Sequence, residues 1–185
     1  MKKLLIILAI FITNIAFAQT EKGAWLVGVT GTGGFGTFQS NFQVLPSGGY
    51  FVAKNLAAGV VLGYGHSYYD YAGFLNSVYG TTATTSLNFH TLISNTYSAT
   101  PFLRYYIPSK RIKPFVEAGY WLSKGFSKAD ADETQANFNS FVAGAGIAFF
   151  ISRKVSLDLS YNYSFGDVGD RRVRLGVQFF LPSKK

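Results

Sequence analysis

The chain of 185 residues contains no cysteine, so it has no disulfide framework, no thiol chemistry and no cysteine for lipid attachment. Charged residues make up only 14% of it, against about 25% in ordinary soluble domains. After residue 18 no apolar run approaches the roughly 20 residues that a transmembrane helix needs. A chain poor in charge and without such helices has one other way to satisfy its backbone in lipid, which is a closed β-barrel.

The N-terminus has the pattern of a secretory signal. Met1-Lys2-Lys3 precedes an apolar core from Leu4 to Phe11, and Ala16-Phe17-Ala18 forms a small-residue cleavage site. We therefore predict a cleaved signal peptide over residues 1–18 and one barrel domain over residues 19–185. The net charge is +8, but the basic residues lie in short turns rather than in one patch, which argues against a nucleic-acid partner.

The stretch Val155–Phe165, VSLDLSYNYSF, shows the periodicity that the rest of the chain repeats. Every odd position is apolar or aromatic and every even position is polar, which predicts a strand with one apolar face. Its length matches the roughly 9–11 residues of a transmembrane β-strand.

The same alternation predicts an all-β fold, an eight-stranded antiparallel up-and-down transmembrane β-barrel. The predicted strands are approximately 23–32, 38–52, 58–65, 96–107, 114–124, 138–151, 155–165 and 172–179. Glycine-rich residues 31–36, the long stretch 66–95 and the polar stretch 128–137 are predicted loops, because their alternation is weak. Pro46, Gly48 and Gly49 predict a bulge or kink in the second strand.

The distribution of charged residues indicates which face of the strands points out of the barrel. A soluble barrel would bury the apolar face, and Gly23-Ala24-Trp25 matches the short motif of lipocalins, but a soluble exterior would carry many charges. Here the second face is mostly Gly, Ser, Ala and Asn. The charges within the strands all lie on that small, polar face and are predicted to form a lumenal network: Arg104, Glu117, Asp158, Arg172 and Arg174.

Strand pairing predicts one ion pair in that network. If strands four and five pair across a turn centred between Lys110 and Arg111, Arg104 lies opposite Glu117. The partner of Arg174 stays open, since it falls nearer the level of Asn162 than of Asp158. The alternative is that all five charges are simply solvated in the lumen.

Aromatic residues cluster near the two ends of the predicted strands. This distribution is typical of the aromatic belts at the two membrane interfaces, although core packing is an alternative. The predicted belts contain Tyr64, Tyr68, Tyr161, Tyr163 and Phe165 near the long loops, and Tyr105, Phe149 and Phe179 near the short turns.

The Gly23-Ala24-Trp25 opening, the run Pro101–Tyr106, the run Val142–Phe150 and the alternating last strands carry a family resemblance. The chain resembles the small eight-stranded outer-membrane β-barrel proteins of the OmpA/OmpX-like superfamily, in the style of Bacteroidota. The resemblance implies the outer membrane of a Gram-negative bacterium. It implies outer-membrane lipid, lipopolysaccharide and the barrel-assembly machinery as partners, and no cofactor. Family members often end on an aromatic residue, whereas here Leu181-Pro182-Ser183-Lys184-Lys185 follows Phe180.

Function is less specified than fold. Eight strands enclose an interior just wide enough for side chains, which argues against a general porin. The leading hypothesis is a non-enzymatic structural barrel that binds an extracellular surface ligand through its loops. One alternative is a lipid A-modifying enzyme, but His66 and Ser67 are adjacent on a strand and point to opposite faces, and His90 has no evident partner. The other alternative is a narrow conduit for solutes or ions.

Overall fold

A computed structural model describes residues 20–79, 91–109, 111–129, 132–167 and 169–182. These residues form eight strands and one helix. In chain order the elements are β1 (Trp25–Phe35), β2 (Gln39–Ala53), β3 (Leu56–Asp70), α1 (Tyr71–Tyr79), β4 (Thr91–Tyr106), β5 (Ile112–Ala129), β6 (Asp132–Phe150), β7 (Val155–Gly166) and β8 (Asp170–Leu181). Across these described ranges, no helix has the length and apolar character needed to cross a membrane.

The strands form a closed barrel in which each pairs with its neighbours in sequence. β1 closes the barrel against β8, with pairs running from Trp25 opposite Leu181 to Gly31 opposite Leu175. All pairings are antiparallel, so every strand has a partner on both sides and no edge is left open. The predicted eight-stranded up-and-down barrel is confirmed.

The two ends of the barrel differ. The short-turn end contains the start of β1, the end of β8 and the connections β2–β3, β4–β5 and β6–β7. The loop end contains the other connections, including the β3–β4 connection with α1. The turn between β2 and β3 has only two residues, Lys54 and Asn55. Asn55 has a φ of 63°, a left-handed conformation that asparagine tolerates better than most residues.

Burial alternates along the strands as the sequence predicted. In β7 the outward Leu157, Leu159 and Tyr161 are about half exposed, whereas the inward Ser156 and Asp158 are buried. The outward face of the barrel is therefore apolar and its interior is polar along this strand. That arrangement suits a barrel surrounded by lipid.

Three predicted loops were wrong in extent. Most of residues 31–36 lies in β1, and β3 continues to Asp70 before α1 begins. Residues 128–137 belong largely to a hairpin of β5 and β6, with pairs continuing to Ala129 opposite Asp132. Residues 133–135 are exposed on both parities, and where both strand faces meet water, polar–apolar alternation fades although the hydrogen-bonded ladder continues. Residues 80–90, including His90, lie outside the described part of the predicted 66–95 loop.

The predicted bulge at Pro46 was misplaced. The register between β2 and β3 is the same on both sides of Pro46, from Val44 opposite Tyr64 to Ser47 opposite Val61. The shift occurs instead between Phe51 and Ala53, next to the short turn. The tight turn, rather than the proline, therefore causes the irregularity.

Candidate functional site in the barrel lumen

Arg104, Glu117 and Asp158 meet in the lumen. β4 and β5 place Arg104 directly opposite Glu117, and the guanidinium donates to Glu117 Oε2 from Nε at 2.9 Å and from Nη2 at 2.7 Å. Its Nη1 donates to Asp158 Oδ2 at 3.0 Å. One arginine thus bridges two carboxylates from different strands. We call these three residues the lumenal charge triad.

Neighbouring groups satisfy the rest of the triad. Asn162 donates its amide to Glu117 Oε1 at 2.6 Å, and the Ser156 hydroxyl donates to Asp158 Oδ1 at 2.6 Å. The Arg104 guanidinium also lies 4.3 Å from the centre of the Phe115 ring, within cation–π range. A buried charge network of this kind is stable only when its members are paired and hydrogen-bonded, which is the case here.

Of the other two predicted charges, Arg174 is ion-paired with a carboxylate of the triad and Arg172 is not. Arg174 lies opposite Ser160, midway between the levels of Asp158 and Asn162, and its Nη1 comes within 3.8 Å of Glu117 Oε1. Its Nε is buried without a hydrogen-bond partner.

Arg172 has different partners from the triad. It pairs with Asp170 on the same strand, donates from Nη1 to Gln43 Oε1 at 2.9 Å and lies over the Trp121 ring. Sequence reasoning missed Asp170, which falls between the predicted strands 155–165 and 172–179.

An aromatic cluster fills the lumen beside the triad and from there to the short-turn end. Its rings pack close together, with centroids 4.8 Å apart for Phe150 and Phe180 and 5.6 Å apart for Tyr106 and Phe115. We define the lumenal aromatic cluster as Phe51, Phe102, Tyr106, Phe115, Phe150 and Phe180, all buried. Sequence reasoning missed it because only the outward aromatics were considered, although the strand parity assigns all six rings to the inward face.

The chain segment before β1 covers this cluster at the short-turn end. Thr20 is buried, donates to Asn55 Oδ1 at 2.5 Å and accepts a hydrogen bond from Lys113 Nζ at 2.9 Å. The backbone amide of Asn55 also donates to the Thr20 carbonyl at 2.7 Å. These bonds hold the segment across the mouth of the barrel.

Towards the loop end the lumen widens into a cavity of about 500 Å³. We call it the lumenal cup. Its inward-facing lining includes Asn41, Gln43, Ser67, Thr96, Trp121 and Arg172. The triad and the aromatic cluster lie deeper in the lumen, so the cup opens at the loop end and is closed below.

The predicted belt residues lie on the outward surface. Tyr64, Tyr68, Tyr161 and Phe165 at one end, and Tyr105, Phe149 and Phe179 at the other, are all exposed, and Tyr163 is half-buried. Tyr161, Tyr163 and Phe165 are spaced over about 13 Å of strand, so Tyr161 lies deeper than its two neighbours. Their role in membrane belts stays a prediction.

A second group of aromatic and apolar side chains, all exposed except the half-buried Phe38, lies at the loop end around α1. The helix begins where Asp70 Oδ1 accepts a hydrogen bond from the Gly73 amide at 2.8 Å, a normal N-terminal cap. Tyr71, Phe74 and Val78 recur with helical spacing and are exposed. We define the loop-end aromatic surface as Phe38, Tyr69, Tyr71, Phe74 and Val78, in which Phe38 packs on Phe74 and Tyr69 stacks on Tyr71.

His66 and Ser67 lie on opposite faces of β3. His66 faces outward, where its Nδ1 is 2.9 Å from Asn95 Oδ1, an atom that also accepts a hydrogen bond from Tyr64. Ser67 lines the lumenal cup. Within the described part of the chain, no three His, Asp or Glu side chains come together to hold a metal ion.

Comparison with known proteins decides the family. A family model described as the outer membrane protein beta-barrel domain matches residues 4–179. The chain belongs to this family. No curated protein sequence matches it significantly.

Solved structures share the fold of this outer-membrane barrel family. The chain is similar to neisserial surface protein A, with 13% identity, a TM-score of 0.57, and coverage of 85% of this chain and 97% of that one. The N-terminal barrel of Pseudomonas aeruginosa OprF is 16% identical, with a TM-score of 0.54 and coverage of 86% of this chain and 98% of that one. Ail, the attachment invasion locus protein of Yersinia pestis, is 15% identical, with a TM-score of 0.52 and coverage of 86% of this chain and 99% of that one. At these identities the likeness shows the fold alone.

Proposed function

We propose that this protein is a non-enzymatic structural barrel in the outer membrane of a Gram-negative bacterium, and that its loop end binds an extracellular surface ligand. The observation that carries this proposal is the loop-end aromatic surface. An apolar band around a barrel of this class is about 25 Å tall. At about 3.3 Å per residue and a tilt near 40°, β3 rises about 33 Å from Ala57 to Asp70. The surface on α1 therefore lies beyond the band, where exposed aromatic residues mark an interaction site.

The proposal draws support from the chemistry of the surface. α1 carries no charged residue, and Tyr71, Phe74 and Val78 are each more than 40% exposed. Aromatic side chains contribute large contact area together with polar hydroxyl groups, as is common at protein interfaces. Ail of Yersinia pestis is named an attachment invasion locus protein, and an attachment role of this general kind is what we propose here.

An adhesion assay tests the proposal. Cells that display the wild-type protein should adhere to cultured host cells in greater numbers than cells that lack the protein. The Phe74→Ser/Val78→Ser double variant should lose most of this adhesion, because it removes apolar contact area without entering the barrel. Lys128→Ala is the matched control, since Lys128 lies at the loop end on the β5–β6 hairpin and its ion pair with Glu133 is exposed. Equal adhesion by the double variant and the control would refute the proposal, provided both show heat-modifiable migration in gels.

The conduit alternative has weaker support. The lumenal aromatic cluster and the Thr20 segment both lie across the pore, which favours a closed lumen. We expect no steady conductance in planar bilayers from wild-type protein or from Glu117→Ala, because Phe51, Tyr106, Phe115, Phe150 and Phe180 of the cluster lie on the short-turn side of Glu117. Stable ion conductance in the wild type would favour the conduit instead.

The enzyme alternative also has weaker support. His66 is bonded to Asn95 on the outer wall, and the neighbouring Ser67 faces the lumen, so they do not form the nucleophile–base pair that acyl transfer needs. Incubation with acyl-labelled lipopolysaccharide should release no fatty acid. We further propose lipid and lipopolysaccharide as the surroundings of the outward face, and the barrel-assembly machinery as a partner during biogenesis.

A further inference from the structure

Basic residues that are scattered along the sequence lie together at one end of the barrel. Because neighbouring strands run in opposite directions, the segment before β1 and the β2–β3, β4–β5 and β6–β7 turns all lie at the short-turn end. In the described part of the chain, this end has five exposed cations and one carboxylate, Glu21, which pairs with Lys54 at 3.6 Å. We define the short-turn rim as these five cations: Lys22, Lys54, Arg111, Arg153 and Lys154.

The two ends of the barrel differ in charge. At the loop end, cations and carboxylates are mixed: Lys124, Lys128 and Arg171 lie there together with Asp70, Glu133 and Asp167. The rim, by contrast, has a clear excess of positive charge over the single carboxylate of Glu21. Charge of one sign concentrated on one surface attracts a partner of the opposite sign. The short-turn end therefore suits an anionic partner and the loop end does not.

Backbone hydrogen bonds hold the rim against the ends of the strands. The carbonyl of Arg111 accepts a hydrogen bond from the Phe150 amide at 3.0 Å, and the carbonyl of Lys154 accepts one from the Phe180 amide at 2.7 Å. The rim cations therefore stay close to the barrel wall and are not carried away from it on long loops.

Exposed apolar side chains lie among the rim cations. Ile107 and Ile112 lie on either side of Arg111 in sequence, Ile151 lies in the β6–β7 turn, and all three are nearly half exposed. The Arg111 guanidinium lies over the outward-facing Phe149 ring, 5.0 Å from its centre. Long basic side chains that cover apolar surface and extend their charge beyond it are typical of the membrane interface. This mixture favours a lipid headgroup layer over a soluble acidic partner.

We propose that the short-turn rim binds the headgroups of anionic phospholipids in the leaflet at the short-turn end. Phosphate oxygens accept charge-assisted hydrogen bonds from guanidinium and ammonium groups, and basic residues next to a membrane attract anionic lipid. This inference rests on the proposal that lipid surrounds the outward face. It is independent of the loop-end aromatic surface, so adhesion and phospholipid selectivity succeed or fail separately.

Trp25 reports the lipid composition at this end. It begins β1, is 54% exposed on the outward face and lies opposite Leu181 at the end of β8. The chain has two tryptophans, so Trp121→Phe leaves Trp25 as the only one. The Trp121→Phe barrel is reconstituted into vesicles of phosphatidylcholine with a minor fraction of phosphatidylglycerol. All vesicles have the same lipid proportions, and an equal amount of chains brominated near the headgroup is placed on one lipid or on the other.

We expect brominated phosphatidylglycerol to quench Trp25 more strongly than brominated phosphatidylcholine. The difference should correspond to a preference of about three-fold or more for the anionic lipid at low salt. High salt should bring the preference close to one, because the Debye length falls from about 10 Å at 0.1 M to about 3 Å at 1 M.

Two triple variants in the Trp121→Phe background locate the binding surface. The rim variant replaces three exposed cations near β1 and β8: Lys22→Gln/Arg153→Gln/Lys154→Gln. It should lose most of the lipid preference. The matched control removes the same charge from exposed residues at the loop end: Lys124→Gln/Lys128→Gln/Arg171→Gln. It should keep the preference, because these residues lie at the opposite end of the barrel from Trp25. Heat-modifiable migration in gels checks the folding of both variants.

Several results would overturn the proposal. Equal quenching of Trp25 by the two brominated lipids at low salt would show that the rim does not select phospholipid, and would leave a soluble acidic partner as its occupant. A preference that both triple variants change by the same amount would show that the rim is not the selective surface. The absence of quenching by either lipid would overturn the lipid surroundings of the outward face as well, which separates that failure from a failure of selectivity alone.

Discussion

Replacing Glu117 with alanine should destabilise the barrel more than any change at an exposed ion pair. The Glu117 carboxylate accepts three hydrogen bonds, two from Arg104 and one from Asn162, and only 8% of its side chain is exposed. Breaking a buried ion pair on one side costs about 3–5 kcal/mol. Because Arg104 keeps Asp158 at 3.0 Å, we expect about 3 kcal/mol, at the lower end of that range.

Equilibrium unfolding by guanidinium chloride in lipid bilayers, followed by tryptophan fluorescence, measures this loss. Glu133→Ala is the matched control, because Glu133 pairs with Lys128 at 3.7 Å while 78% of its side chain is exposed. An exposed pair contributes about 0–1 kcal/mol, so the control should unfold almost as the wild type does. Glu117→Gln should fall between the two, because the amide keeps one acceptor oxygen. If Glu117→Ala and Glu133→Ala unfold at the same denaturant concentration, the lumenal charge triad does not stabilise the barrel as argued.

Two further substitutions test the wall of the barrel. Leu159→Arg puts a charge into the outward apolar band and should lower the free energy of unfolding by about 2–4 kcal/mol. Gln135→Arg on the β6 extension is the control and should have little effect. Equal losses of unfolding free energy in bilayers would contradict the lipid-facing assignment. Gly146→Ala places a methyl group 2.5 Å from the Phe115 ring and should lower the free energy of unfolding by about 1–3 kcal/mol through overpacking. Gly48→Ala is the control: its added methyl group meets no atom within 4 Å, so it should unfold at nearly the same denaturant concentration as the wild type. Indistinguishable unfolding of these two glycine variants would show that the lumen is loosely packed.

The number of strands, their topology and the face that points outward could be predicted from the sequence, because contact with lipid imposes period-two alternation along each strand. Val155–Phe165 shows this most clearly. The opposition of Arg104 and Glu117 followed from the same regularity, since a short turn sets the register of the hairpin around it.

Features outside the lipid were not predictable in the same way. At the loop end both faces of β5 and β6 meet water, so their extension reads as a polar loop. Asp158 joins Arg104 across the lumen from a strand that does not neighbour β4, and such contacts depend on barrel curvature rather than on pairing. The lumenal aromatic cluster was detectable in principle, because Phe115 and Phe180 lie on the inward parity, yet only the aromatic residues of the outward parity were considered.

Depth-dependent quenching of the two tryptophans tests the orientation of the barrel most directly. Trp25 is 54% exposed on the outward face, and Trp121 is 8% exposed and faces the lumen. In bilayers of lipids brominated near the headgroup, Trp121→Phe, which retains Trp25, should be strongly quenched, and Trp25→Phe, which retains Trp121, should keep nearly all of its fluorescence. Strong quenching of Trp121 with little quenching of Trp25 would contradict the assignment of the apolar face to lipid.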